Sequence, residues 1–168
     1  MRSIHTDEHV FRRVSEIDCP VERVWQTVTT QEGINHEMGP YMKMTMPKQF
    51  IGRSIADVEP GTRIGKSFLL LFGFLPFGFD DITITRIEPG RMFREESTMT
   101  GMRVWVHHRT LEPKGDKTVV SDEITLAPQA PMGLIPGWGK LMSKILSAFF
   151  AHRHRRLRKS LAKTGVAQ

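Results

Sequence analysis

The feature that most restricts the fold is a succession of short alternating segments between residues 41 and 127, punctuated at close intervals by glycine and proline. Residues 81–88 (DITITRIE) alternate apolar and polar side chains, and Glu88-Pro89-Gly90-Arg91 reads as a tight turn into a strand at 92–99. Thr100-Gly101 separates that strand from one at 103–112, and Glu112-Pro113-Lys114-Gly115-Asp116 turns the chain into another at 118–126. Upstream, Met42, Met44 and Met46 alternate with Lys43 and Thr45, Gly61 and Gly65 flank a turn, and Pro76 with Gly78 is expected to split the apolar run 68–79 into two strands. Connections this short permit antiparallel neighbours, because a parallel crossover needs a dozen or more residues. The segment is expected to be an antiparallel meander.

Helices flank it. Residues 9–18 (HVFRRVSEID) read as a first strand, with Phe11, Arg13, Ser15 and Ile17 on one face and Val10, Arg12, Val14 and Glu16 on the other. Asp18 or Cys19 is expected to cap a helix that opens with Pro20 and repeats Val21, Val24, Trp25 and Val28 at helical spacing. Thr30 starts a second short helix, limited by Gly33 and Gly39-Pro40. After a linker of Pro128, Pro131, Pro136 and Gly137, one long helix is expected over 137–163. Its apolar side chains form two rows, Trp138, Leu141, Ile145 and Phe149 beside Met142, Leu146, Phe150, Leu157 and Leu161, a stripe wide enough to lie along a sheet. The length of 168 residues fits one α+β domain over 9–163, with tails at 1–8 and 164–168.

Composition narrows the function classes. A single cysteine, Cys19, leaves no disulfide framework and no Cys-rich metal site. His36-Glu37 lacks a second histidine four residues on, His107 and His108 point to opposite faces of a strand, and His152 and His154 stand about 200° apart on a helix. There is no glycine-rich phosphate loop and no serine nucleophile elbow, so neither metal nor cofactor is expected. The N-terminus MRSIHTDEHV carries charge where a signal peptide needs an apolar core, and the 12-residue run 68–79 is too short to span a bilayer, so a soluble, cytoplasmic protein is expected. Net charge is +6, but residues 127–168 hold eight basic residues and no acid, which leaves residues 1–126 at −2. Arg153, Arg155, Arg156, Arg158 and Lys159 crowd the last turns of the long helix, where the helix dipole favours cations. That end reads as a solvated helix terminus or a transient contact with an anionic membrane surface. No nucleic-acid motif accompanies it.

The best local constellation is the hairpin around Pro113. Pairing Glu112 with Lys117 places His107 opposite Asp122, Arg109 opposite Val120 and Trp105 opposite Ile124, all on one face. Such a pair fixes register, anchors a ligand carbonyl or hydroxyl, or makes His107 a general base oriented by Asp122, the two candidate catalytic residues. The Met-rich strand and Phe72, Phe74, Phe77 and Phe79 read either as core or as an adaptable cavity wall.

Several of these segments resemble the SRPBCC superfamily of START-type lipid carriers, pollen-allergen-like proteins and polyketide cyclases. The resemblance rests on Asp18-Cys-Pro-Val-Glu-Arg-Val-Trp25, Gly33-Ile34-Asn35, the turn from Ile87 to Phe93, Trp105-Val-His107-His-Arg109-Thr-Leu111 with Thr118-Val-Val-Ser-Asp122, and Phe150-Ala-His-Arg153 with Leu157. It covers roughly 8–162 and implies a helix-grip fold: a curved antiparallel sheet wrapped around a long C-terminal helix, with two short helices after the first strand and an internal cavity for a hydrophobic or amphipathic small molecule. On that reading Met42, Met44, Phe72, Trp105, His107 and Arg109 from the sheet and Leu141, Ile145 and Phe149 from the helix line the cavity. Two alternatives stay open: a cyclase/dehydratase- or hydrolase-type enzyme with His107 as general base, and a non-catalytic protein-interaction module. A homodimer is compatible with each.

Overall fold

The computed structural model describes residues 7–163; the expected tails lie outside these residues apart from Asp7 and Glu8. Seven strands form one antiparallel sheet in the order β1-β7-β6-β5-β4-β3-β2. Strand β1 (His9–Ile17) is followed by α1 (Val21–Val28), α2 (Gln31–Met38) and β2 (Met42–Met44). The meander β3 (Thr62–Leu71), β4 (Leu75–Glu88), β5 (Met92–Met99), β6 (Met102–Lys114) and β7 (Lys117–Pro128) then leads through a 3-10 turn, Met132–Leu134, to α3 (Trp138–Lys163). The expected α+β helix-grip architecture is present. Helix α3 packs on β1, β7 and α2, on one side of the sheet.

Local chemistry accounts for most boundaries. Thr30 caps α2 by accepting a hydrogen bond from Gly33 N at 3.2 Å. Pro20 itself occupies the N-cap of α1, with no side-chain cap, so neither Asp18 nor Cys19 plays that part. Gly33 is required where α2 passes α1, since a Cβ there would collide with the carbonyl of Thr27. Gly33→Ala is expected to cost about 1–3 kcal/mol through the forced backbone shift, read as a lower urea midpoint at unchanged m-value.

Three further sequence expectations are corrected. The run 68–79 turns at Phe72-Gly73, both at positive φ (52° and 82°), and Pro76 and Gly78 lie inside β4. Gly65 sits within β3 at a register shift rather than beside a turn. The β6–β7 hairpin runs on to Lys114 opposite Lys117, which puts Arg109, not His107, directly opposite Asp122. The displacement is two residues, so every side chain keeps its predicted face. His107 pairs with Ile124 and Trp105 with Leu126.

Candidate functional site

On the inner face of the sheet, under α3, lies a sealed ionic cluster. Asp122 of β7 and Glu37 of α2 are both fully buried, and Arg109 of β6 bridges them. Its Nε and Nη2 donate to Asp122 Oδ1 and Oδ2 at 2.6 and 2.7 Å, and its Nη1 and Nη2 donate to Glu37 Oε1 and Oε2 at 2.8 and 2.9 Å. Two bidentate carboxylates on one guanidinium exploit a fork geometry that lysine cannot supply. Glu37 is aimed here because Asn35 ties α2 to β2, donating to Met44 O at 2.9 Å and accepting from Met44 N at 2.7 Å.

Helix α3 closes the cluster. Arg153 Nε donates to Glu37 Oε2 at 3.2 Å, and His154 Nε2 contacts Asp122 Oδ2 at 2.7 Å while its Nδ1 lies 2.9 Å from Ser15 Oγ. His107 is held on both sides, Nε2 to Asp122 Oδ1 at 2.8 Å and Nδ1 to Glu95 Oε1 at 3.1 Å. The rings of Phe93 and Phe150 stand edge-on to it, with centroids 5.5 and 5.3 Å away. Burial alone would keep His107 neutral, but Asp122 and Glu95 outweigh it and hold the imidazole above its ordinary value. In the same way burial pushes the Asp122 carboxyl up, yet Arg109 and His107 hold it well below the carboxylate range, and Arg109 with Arg153 holds Glu37 down. Carboxylates on both sides make each ring nitrogen of His107 a donor, so the residue is an imidazolium tie.

Beside this cluster the inner face carries polar atoms of a different kind. Ser67 Oγ and Trp105 Nε1 are buried without a protein hydrogen-bond partner, and Asp80 Oδ1 and Ser97 Oγ are buried with no partner beyond the Asp80–Ser97 contact itself. The register makes them neighbours: Ser67 is directly opposite Asp80 across β3–β4, and Ser97, opposite Ile82, is on the diagonal. Burial and the Glu95 carboxylate push Asp80 up to about 7, against the opposing pull of the Ser97 hydroxyl and of His107. Met99, Met102, Met142, Leu146 and Phe149 form a partly buried apolar wall against the buried cluster of Trp105, Ile124, Leu126 and Phe150.

The structure brings Trp105, His107, Arg109 and Phe149 to this inner face, together with Asp122. It does not bring Phe72 there: that side chain is 62% exposed at the β3–β4 tip. Met44 is buried on the far edge strand with Met42 half-buried beside it, opposite Leu69 and Leu71. Leu141 and Ile145 are half exposed; the row of α3 that faces the sheet is the neighbouring one, through Phe150, Leu157 and Leu161. Arg153 is likewise removed from the exposed basic face by its pairing with Glu37. Glu37, Glu95, His154, Ser67, Asp80 and Ser97 are site residues that the sequence reading missed. A signal existed for Asp80, a carboxylate in phase with the apolar face Ile82 and Ile84. Among the described residues no group of three or more His, Cys, Asp or Glu side chains is arranged to hold a metal ion.

On the outer face, an open concavity of about 900 Å³ is lined by residues including Thr83, Thr85, Arg94, Glu96 and Thr98. Its charges pair locally, Arg63 with Asp81 and Arg94 with Glu96.

With this arrangement in view, the sequence from residue 15 to residue 161 matches the model of a domain of unknown function, DUF8410. The chain belongs to the DUF8410 family. No curated protein matches this DUF8410 sequence. Among solved structures it is similar to a START superfamily protein from Mycobacterium smegmatis, with 12% identity, 93% of this chain and 99% of that one covered, and a TM-score of 0.67. It is also similar to Thalictrum flavum norcoclaurine synthase (10%, 97% and 99% covered, TM-score 0.66) and to the ZhuI aromatase/cyclase of Streptomyces sp. R1128 (8%, 95% and 97% covered, TM-score 0.65). The DUF8410 chain therefore has the SRPBCC-type fold that its motifs resemble. No described helix is long and apolar enough to cross a membrane.

Proposed function

We propose that this chain binds an amphipathic small molecule between the inner face of the sheet and α3, with an apolar body and a neutral oxygen function, hydroxyl or carbonyl, at its buried end. The observation that carries this reading is the group of buried polar side chains beside an apolar wall in which Ser67 and Trp105 have no partner and Asp80 and Ser97 have none beyond each other. Buried polar atoms are nearly always paired, and leaving them unpaired costs about 1–3 kcal/mol each. The donor set selects the ligand. Trp105 Nε1 only donates, so it asks for an acceptor, which an ammonium does not offer. A carboxylate would meet Asp80 and Glu95 at close quarters. A hydroxyl or carbonyl oxygen accepts from Trp105 and from the protonated form of Asp80. The ligand enters where the first turns of α3 carry the half-exposed Leu141 and Ile145.

The enzyme alternative finds less support. A general base needs a nitrogen free to take a proton, and both ring nitrogens of His107 face carboxylates within 3.1 Å.

Calorimetric titration with 1-decanol, decanoate and decylamine tests the reading with tails of equal length. The alcohol is expected to bind at least tenfold more tightly than either ion, and Trp105→Phe and Ser67→Ala are each expected to weaken it about three- to tenfold, the worth of one hydrogen bond. Affinity for the alcohol is expected to fall as pH rises through 7. Equal affinities for all three probes, or none, would overturn the proposal.

A further inference from the structure

We propose that one end of the molecule, formed by the β3–β4 tip and the segment that leads into α3, docks on anionic lipid bilayers. The register puts these pieces together. Met99 of β5 pairs with Met102 of β6, Met102 with Pro128 of β7, and Leu126 of β7 with His9 of β1, so the 3-10 turn and the start of α3 emerge at the end where β5 stops. Gly139 packs against the His9 ring, which places the first turn of α3 there too. Pairing of β4 with β5 ends at Asp80–Met99, yet β3 and β4 run on together to Leu71–Leu75. The hairpin therefore projects about 15 Å past its β5 neighbour.

What projects is apolar. Phe74 is 76% exposed and Leu134 78%, and Phe72, Phe77, Ile135 and Leu141 are each about half exposed or more. Isolated exposed apolar residues are ordinary, but a set gathered at one end marks an interaction surface. The charge around it is basic. Lys43, Lys66, Lys140 and Lys144 are exposed, and among the described residues none of them is ion-paired. Of the acids at this end, Asp7 is held by Arg103 at 2.8 Å, Asp81, opposite Lys66, is paired with Arg63, and Asp80 is buried, leaving Glu8 at the surface.

Two arguments select a bilayer over other occupants. The apolar tips lie on either side of the β5–β6 turn at Thr100-Gly101, so an extended planar surface reaches both while a peptide in a single groove does not. Two copies joined through this end would bring their lysines together. Aromatic side chains with lysines beside them suit the polar–apolar boundary of a membrane carrying negative headgroups. The opposite end is less suited: Arg153 is consumed by Glu37, and Arg156 Nε donates to His36 O at 3.1 Å.

Flotation with vesicles of phosphatidylcholine alone, and of phosphatidylcholine with 30% phosphatidylglycerol (roughly the anionic share that draws polybasic surfaces), tests the proposal. The full chain is expected to float with the anionic vesicles. Phe74→Ser with Phe77→Ser and, separately, Lys140→Glu with Lys144→Glu are each expected to weaken that binding at least tenfold. Arg155→Glu with Lys159→Glu, the same charge change at the far end, is expected to change it less than threefold. All six sites are exposed, and circular dichroism checks that each variant folds. Binding lost equally in the far-end variant means diffuse electrostatics and overturns the proposal. So does absence of flotation by the full chain, or a concentration-dependent dimer that Phe74→Ser with Phe77→Ser abolishes. Binding of 1-decanol, measured in the same tip variants, is expected to be unchanged, so failure of docking and failure of the ligand site are read separately.

Discussion

Arg109→Met is expected to destabilise the protein by about 3–5 kcal/mol, the cost of removing one partner from a buried ionic group. The guanidinium is 1% exposed, and the two carboxylates it bridges are fully buried. Without it Glu37 keeps only Arg153, and Asp122 keeps the two histidines. For a chain of this length the loss corresponds to a fall in Tm of roughly 10 °C or more, measured by calorimetry or thermal circular dichroism. Arg109→Lys is expected to recover little, because a point charge cannot make two bidentate contacts. Adding Glu37→Gln and Asp122→Asn to Arg109→Met is expected to restore part of the loss by removing the stranded charges. A loss under 1 kcal/mol in the single variant would show that the cluster contributes little to the fold.

Asp80→Asn is expected to stabilise the protein, by an amount that grows with pH. The folded chain holds the Asp80 proton up to about 7, whereas the unfolded chain releases it near 3.8. Between those values the folded state binds more protons than the unfolded state, so the wild type loses stability as pH rises, by up to about 4 kcal/mol above pH 7. The asparagine variant escapes that loss: little gain is expected at pH 4.5 and most of it at pH 8, in urea unfolding at both. An equal gain at the two pH values would contradict the assignment. Asp122 and Glu37 have the opposite sign. Held below their ordinary values, they contribute stability that is present above the unfolded carboxylate pKa and disappears as pH falls through their folded values. Destabilisation in acid therefore belongs to the Arg109 cluster; across neutrality Asp80 and His107, both held above their ordinary values, contribute losses of the same sign, and the Asp80→Asn difference isolates the first.

Alternation and turn chemistry made the meander legible from residues alone, because strands of period two joined by Pro-Gly turns have few other solutions. The His107, Arg109 and Asp122 grouping was legible for a narrower reason. The β6–β7 turn is two residues tighter than the Pro113–Asp116 segment suggests, with Gly115 at φ 60°, and an even shift changes the partner while preserving the face. The position of the β3–β4 turn was not legible. It rests on Phe72 in a left-handed conformation that phenylalanine seldom adopts, while Pro76 and Gly78 advertise a turn that they do not make. Nor was the other half of the cluster. Glu37 and His154 arrive from helices 72 and 32 residues from their partners Arg109 and Asp122, and the rotation of α3 that selects Phe150 over Ile145 is set by packing.

The four hydrogen bonds that converge on Asp122 give α3 two mechanically different halves. From Phe150 onward the helix is bolted to β1, β7 and α2 through His154 and Arg153, so it cannot lift without exposing several charges at once. Before Phe149 no ion pair restrains it among the described residues; Arg13 of β1 donates from Nε to Ser147 O at 3.1 Å, and ahead of Ser147 its grip on the sheet is apolar contact. Such a helix has the restraints of a cantilever: clamped over its C-terminal half, with the last polar tie at Ser147 and only apolar contact towards the end where Leu141 and Ile145 face solvent. The give that the proposed ligand would need and the rigidity that keeps the domain folded thus reside in successive turns of a single element.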